Sequence, residues 1–332
     1  MNTKKRIVTM GGGTGQPTLL FGLKQIPDVD LTAIVSSSDS GGSSEKMRQD
    51  HRVLPPGDVV RCMLALADVD ADVVKLFEFR PPEDEHTTMG GHRLGNLILT
   101  AATVQSNGDV LKGMRKVEKI LNPRGRVFPI TTEQVDLGAR FENNVWVWRE
   151  DLIDVGAHDG KGLITEVRLR RREVAGVEPR KGLLRPLKEA LDAIRKADMI
   201  VAGPGDLFTS IIPNVLFEGT RRALKGRRGL LVFVTNVMTK RAETDGFTVR
   251  DFVSEFEKYA GVRVDAVLCN TEKPPPPILE RYRQEGAAYV EPLLTPDCQW
   301  DGRRVVPFPL LAPGVLARHD STKLAYAIRA LL

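Results

Sequence analysis

The residues with chemical potential in this chain cluster in glycine-bracketed loops. Gly11-Gly12-Gly13-Thr14-Gly15-Gln16-Pro17 follows the apolar run Ile7–Met10 and precedes an amphipathic stretch. Bare glycine N–H groups approach a phosphate closely, and a helix start adds the positive end of its dipole. The loop lacks the Gly-Lys-Ser/Thr of a P-loop, and Gln16 stands where a dinucleotide fingerprint needs its third glycine. Phosphate binding without a dinucleotide is therefore expected at Gly11, Gly12, Gly13, Thr14 and Gly15. A merely tight strand-to-helix turn would satisfy the same pattern.

A second loop runs from Ser36 to Ser44 around Asp39. A carboxylate among hydroxyls suits a metal, a ribose or a phosphate reached through water; a capped Gly/Ser loop is the plainer reading. Asp58 reads as a helix N-cap, with Arg61 one turn on as an anion partner. Gly90–Asn96 opens an apolar helix and offers His92 and Asn96 as ligand contacts, or as structural polar groups. Gly203-Pro204-Gly205-Asp206 follows another apolar run, with the hydroxyls of Thr209 and Ser210 ahead of a helix expected near Pro213. Asn236 and Asn270 end the next two runs, where an amide reads a base or a sugar, or simply caps a loop. Tyr282, between arginines, can stack on a base or lie half-buried. Arg318-His319-Asp320 precedes the last helix, with Asp320 or Ser321 as its cap. No Ser-His-Asp order, HExxH motif or spaced carboxylate pair marks a catalytic centre.

These loops need strands to hold them. The runs Ile7–Met10, Leu31–Ser36, Met199–Ala202, Leu230–Thr235 and Ala266–Cys269 are short, apolar and β-branched, and helical patterns lie between them. Continuous apolar strands alternating with helices predict an α/β fold with a parallel sheet covered on both faces. Ligands then sit at the carboxyl ends of the strands, where the loops above fall. Residues from about 126 to 172 alternate apolar and polar, as in Val145-Trp146-Val147-Trp148, and predict a small antiparallel insertion. Lys273 to Pro277 reads as a rigid connector into a helix near Ile278.

The composition fits such a fold. The chain has 332 residues, 42% of them hydrophobic and 27% charged, which excludes a disordered or disulfide-stapled chain. Its three cysteines are widely spaced and suit a reducing compartment. With no signal-like or membrane-spanning stretch in the sequence, a cytoplasmic protein is expected. A net charge of +5 on this length is only a weak hint of nucleic acid, which leaves a nucleic-acid-binding protein as a distant third reading. That excess resides in two segments. Lys161 to Lys196 holds eleven Lys/Arg against five Asp/Glu, and Glu218 to Arg228 holds five against one. Both read as solvated faces or as partner contacts.

Taken in order, Gly11–Gly15, Asp39 to Ser44, Leu54–Asp58, Gly91–Asn96, Gly203–Ser210 with Pro213-Asn214, Asn236–Met238 with Glu243–Gly246, and Arg318–Asp320 resemble one family across nearly the whole chain. It is the gluconeogenesis factor (YvcK-like) family of the CofD-like, or 2-phospho-L-lactate transferase, superfamily. The resemblance implies a single Rossmann-like three-layer α/β/α domain over residues 1–332. It implies a nucleotide-sugar ligand of the UDP-N-acetylglucosamine type, a regulatory role in carbon metabolism and cell shape, and a homo-oligomer, expected to be a dimer. Gly11–Gly15 and Gly203–Gly205 would cradle the diphosphate, with Arg61 and Arg318 adding charge. Tyr282 and Arg318 fall where that family's nucleotide-sugar contacts would lie. The transferase branch implies the alternative: magnesium-dependent transfer from a nucleotide diphosphate donor to a deazaflavin precursor, with Asp39 on the metal. Three departures lean towards binding. Ser40 stands where a second aspartate is frequent, Glu45 where a third glycine is usual, and Phe252 where a histidine is often found.

Overall fold

The computed structural model describes residues 4–83, 89–155, 159–173, 182–295 and 297–332. Eleven strands form two sheets: β1 Lys5–Gly11, β2 Val29–Val35, β3 Arg126–Pro129, β4 Val135–Phe141, β5 Trp146–Trp148, β6 Ile164–Arg171, β7 Met199–Ala202, β8 Leu230–Val234, β9 Ala266–Asn270, β10 Gln299–Trp300 and β11 Arg303–Phe308. The main sheet has the order β10-β11-β9-β8-β7-β1-β2-β3, and its neighbours are parallel except for the β10–β11 edge pair.

The continuous apolar runs follow from burial on both faces. Along β1, Ile7 packs into one core with the helices Gly15–Leu23, Gly57–Leu66 and Ser321–Arg329. Its neighbours Val8 and Met10 point to the opposite core, with the helix Val249–Ala260 and the small sheet. The first helix is welded to the sheet by a buried amide: Gln16 Nε2 donates to Thr9 Oγ1 at 3.0 Å and to the Ile34 carbonyl at 3.0 Å. So Gln16, where a dinucleotide fingerprint has glycine, is a packing device.

The middle insertion is smaller than expected. Arg126–Pro129 belongs to the main sheet, pairing parallel with β2, and only β4, β5 and β6 form the separate antiparallel sheet. Alternation alone does not separate an edge strand of one sheet from a strand of the next. The small sheet is tied to the loop after β2 by ion pairs. The Arg48 guanidinium, wholly buried, donates to the Asp39 and Val135 carbonyls at 3.1 and 2.7 Å and lies 3.4 Å from Asp136. Arg172 on the same network holds Glu45 at 2.5 Å. Glu45, an unexpected charge in a glycine position, is thus the anchor for the insertion.

Read from one edge, the strands run 3-2-1 and then 7-8-9, so the winding reverses between β1 and β7. At such a reversal the two crossovers leave on opposite faces and open a crevice outside the carboxyl ends of the strands. The loops Gly11–Gly15 and Gly203–Ser210 begin there.

Candidate functional site

The loop after β1 and the loop after β7 interlock through missing side chains. A Cβ at Gly15 would lie 2.3 Å from the Pro204 carbonyl oxygen, and one at Gly12 would lie 2.7 Å from Asp58 Oδ2. Only glycine permits the approach to backbone at Gly15, and at Gly12 a side chain would displace Asp58. Gly13, at φ +62°, turns its N–H onto Asp58 Oδ2 at 2.8 Å. Asp58 also holds Arg61 at 3.0 Å. Asn214 donates one amide to the Gly11 carbonyl at 3.0 Å and to that of Ser210 at 2.9 Å, pinning the two loops from below. Between them Leu207–Ile211 forms a π-helical turn and Ile212–Val215 a 3₁₀ turn, so the helix expected near Pro213 begins only at Glu218. Irregular turns of this kind re-aim side chains and gather at functional sites.

Two adjoining cavities occupy the crevice. The larger, about 780 Å³, is lined by Gly13, Thr14, Gly15, Gly205, Ser210 and Asn236, with Tyr282 and Arg318 on its far wall. The second, about 500 Å³, is lined by Asp39, Asp58, Arg61, Glu150, Asp151 and Thr209. Gly13, Thr14, Ser210, Asp154 and Asp206 belong to both. Cavities of this size hold small-molecule ligands.

Their electrostatics differ. In the larger cavity Lys240 reaches Asp206 and Glu243, each at 2.9 Å, and also pairs with Asp154. Burial, then the neighbouring Glu243 and Asp58, push Asp206 up to about 7, although 41% of its side chain faces open cavity. Burial pushes Glu243 up and Lys240 opposes it. In the second cavity burial and the charge of Asp39 push Glu150 up to about 8, against the Ser40 N–H that it accepts at 3.2 Å. The same two causes push Asp58 up to about 6, against Arg61 and the Gly13 N–H. A wall of carboxyls held near neutrality is a reservoir of negative charge that a cation or a hydroxyl-rich ligand relieves. Among the described residues no three His, Cys, Asp or Glu side chains converge as a metal cluster.

The structure therefore brings Gly13, Thr14, Gly15, Asp39, Arg61, Gly205, Thr209, Ser210, Asn236, Tyr282 and Arg318 around one crevice. Gly11, Gly12 and Gly203 lie behind it and shape it; the Gly203 N–H donates to the Met10 carbonyl at 3.0 Å. Three expected contacts lie elsewhere. His92 Nδ1 and Asn96 Nδ2 both meet the Ser43 hydroxyl, at 3.0 and 3.2 Å, and steady the helix Gly42–His51. Asn270 is buried and uses Oδ1 on the N–H groups of Glu272 and Leu310, at 3.1 and 2.9 Å, and Nδ2 on the Glu272 carbonyl, closing its own loop. Asp58 is not an N-cap: the helix starts at Gly57, with Pro56 in the cap position. Asp320 is one, accepting from the N–H groups of Thr322 and Lys323.

Sequence reasoning missed Lys240, Asp154 and Glu150. Asp206 sits inside a recognised motif, and Lys240 lies three residues before Glu243, a spacing that pairs charges along one turn. Glu150 and Asp154 come from the short helix Glu150–Val155 of the insertion and carry no local signal. His319, also on the larger cavity, is pushed down to about 4 by burial and is a neutral imidazole.

The chain resembles known proteins along nearly its whole length. The family model described as 2-phospho-L-lactate transferase CofD matches residues 7–311. A putative gluconeogenesis factor of Thermotoga maritima is 40% identical over 331 residues, covering 97% of this chain and 98% of its own. A gluconeogenesis factor of Halalkalibacterium halodurans is 36% identical, covering 98% and 96%, and that of Bacillus subtilis 37%, covering 88% and 86%. A crystal structure of a Bacillus halodurans protein superposes with a TM-score of 0.87 at 34% identity, covering 98% of this chain and 99% of that one. The chain belongs to the CofD family, and its near full-length likeness is to the gluconeogenesis factors of that family.

Proposed function

We propose that this protein is a cytoplasmic, nucleotide-sugar-binding regulator of carbon metabolism that takes UDP-N-acetylglucosamine or a close relative. The observation that carries the reading is the larger cavity. It lies at the reversal of the sheet and joins a glycine-lined floor to a wall holding Tyr282 and Arg318. In this reading the free N–H groups at Thr14 and Gly15 face the diphosphate, and exposed Arg318 adds its charge. Half-buried Tyr282 stacks on the base, and Asn236, whose Oδ1 accepts the Gly205 N–H at 3.3 Å, offers its Nδ2 to ligand oxygen. Among the described residues no helix is long and apolar enough to cross a membrane, which suits a metabolite-binding role.

The acidic second cavity favours one further reading, a transferase acting on a nucleotide-linked donor. Asp39 lines that cavity, and its two oxygens each accept a single hydrogen bond, from the Gly41 N–H at 2.9 Å and the Ser44 hydroxyl at 2.7 Å. Each keeps a lone pair. Magnesium commonly takes one or two carboxylates and completes its shell with phosphate oxygens and water, so Asp39 fits one such contact. A bound magnesium would supply charge neutralisation at the diphosphate.

Titration calorimetry with UDP-N-acetylglucosamine on wild type and Arg318→Ala tests the binding reading. The expected result is binding by wild type, weakened at least tenfold in the variant. Equal binding by both, or none by wild type, would end it. Nucleotide release with a deazaflavin acceptor and magnesium, abolished in Asp39→Asn, would establish transfer instead.

A further inference from the structure

The basic segments of the sequence are not used at the crevice, and the fold brings parts of them together at the opposite end of the same strands. A concavity of about 750 Å³ is lined by Lys5 and Arg6 at the start of β1, by Arg195, Lys196, Ala197 and Asp198 ahead of β7, and by Gly226, Arg228 and Gly229 ahead of β8. Five cations face one acid. That acid is committed: Asp198 accepts from the Arg6 backbone at 2.8 Å and lies 3.1 Å from its guanidinium, which holds its carboxyl below the usual range. Arg195 pairs with Asp192 at 3.1 Å. The side chains of Lys196 and Arg228 are exposed and make no ion pair or hydrogen bond among the described residues.

Two helices, Lys188–Lys196 and Glu218–Lys225, end at this face, and cations in their last turns offset the negative ends of their dipoles. That accounts for Arg195, Lys196 and Lys225. It does not account for Lys5 or Arg228, which lie outside both helices yet line the same hollow, while Arg6 is held by Asp198.

We propose that this hollow is a second ligand site, for a small metabolite carrying two or more phosphate groups. The lining contains no aromatic side chain, so it lacks the stacking platform on which single-stranded nucleic acids rely. The charge is concentrated in a volume suited to a small molecule rather than spread along a groove. Arginines and lysines lining one hollow offer the donors that clustered phosphate oxygens accept. The site lies at the other end of β1 and β7 from the crevice, roughly 20 Å away at a strand's rise per residue. Both sites can therefore be filled together.

The test is titration calorimetry with inorganic pyrophosphate and tripolyphosphate at about 0.15 M salt, where weak surface attraction is screened. The proteins are wild type, Arg318→Ala, and the double variant Lys196→Glu with Arg228→Glu, whose exposed positions leave the fold intact; thermal melting checks this. With saturating UDP-N-acetylglucosamine occupying the crevice, one equivalent should bind to wild type and at least tenfold more weakly to the double variant, and Arg318→Ala should leave that equivalent unchanged. If pyrophosphate fails to bind wild type, or is displaced by the nucleotide sugar and is indifferent to Lys196 and Arg228, the proposal is wrong. Retardation of an RNA oligonucleotide that the double variant loses, without pyrophosphate binding, would overturn it in favour of a nucleic-acid surface.

Discussion

Replacing Glu150 with glutamine probes the acidic wall of the crevice. In the unfolded chain this carboxyl titrates near its ordinary 4.5, and in the folded protein burial and Asp39 hold it near 8. Between those values the folded protein keeps a proton that the unfolded chain has released. Stability from this group is therefore present at low pH and lost as pH rises through the window from 4.5 to about 8. One such proton changes the unfolding free energy by about 1.4 kcal/mol per pH unit, so wild type should lose about 2–3 kcal/mol between pH 5 and pH 7 on account of Glu150. Asp58 and Asp206 act in the same direction, with values near 6 and 7. Glu150→Gln keeps an acceptor for the Ser40 N–H and removes the titration, so it should flatten the pH dependence without abolishing it. Urea unfolding at pH 5, 6, 7 and 8 reads this directly. The variant should be the more stable protein at pH 8 and close to wild type at pH 5. Parallel pH profiles for the two proteins would refute the reasoning.

Three further outcomes follow from the geometry. Gly15→Ala puts a methyl against the Pro204 carbonyl and should cost about 1–3 kcal/mol, seen as a lower melting temperature, together with weaker nucleotide-sugar binding. Arg48→Met leaves buried Asp136 and Glu45 with Arg172 as their main partner and should destabilise by about 3 kcal/mol in urea unfolding. Lys240→Gln strips the cation from Asp154, Asp206 and Glu243. Its melting temperature should fall at pH 8 and recover towards wild type as pH falls below about 7, where Asp206 takes up its proton.

The strands that hold the crevice were legible because a parallel sheet buried on both faces needs uninterrupted apolar runs. Met199–Ala202 is a strand over that same span, and Leu230–Thr235 and Ala266–Cys269 are within one residue of the observed strands. Thr248 and Asp251 cap the helix Val249–Ala260 reciprocally, a pattern carried by residues three apart in the sequence. The edge strands β10 and β11 gave no such signal, since Arg303–Phe308 mixes charge, valine and Pro307. Glycine loops announced the crevice because only glycine allows Gly15 and Pro204 to touch. The side chains that set its charge did not announce themselves. Lys240 meets Asp154 across 86 residues, and Ser40 meets Glu150 across 110, through contacts that only the folded insertion creates. Asn270 shows the converse limit: a strand-end asparagine looks the same in sequence whether it reads a ligand or closes its own loop. Part of the basic segment from Lys161 to Lys196, residues 174–181, lies outside the described residues.

A crystal structure of the complex with UDP-N-acetylglucosamine tests the central claim most directly. The diphosphate should lie between the Gly11–Gly15 and Gly203–Gly205 loops, with Arg318 on its charge and Tyr282 against the uracil. A nucleotide sugar seated away from those loops, or a crevice left empty at saturating ligand, would contradict it.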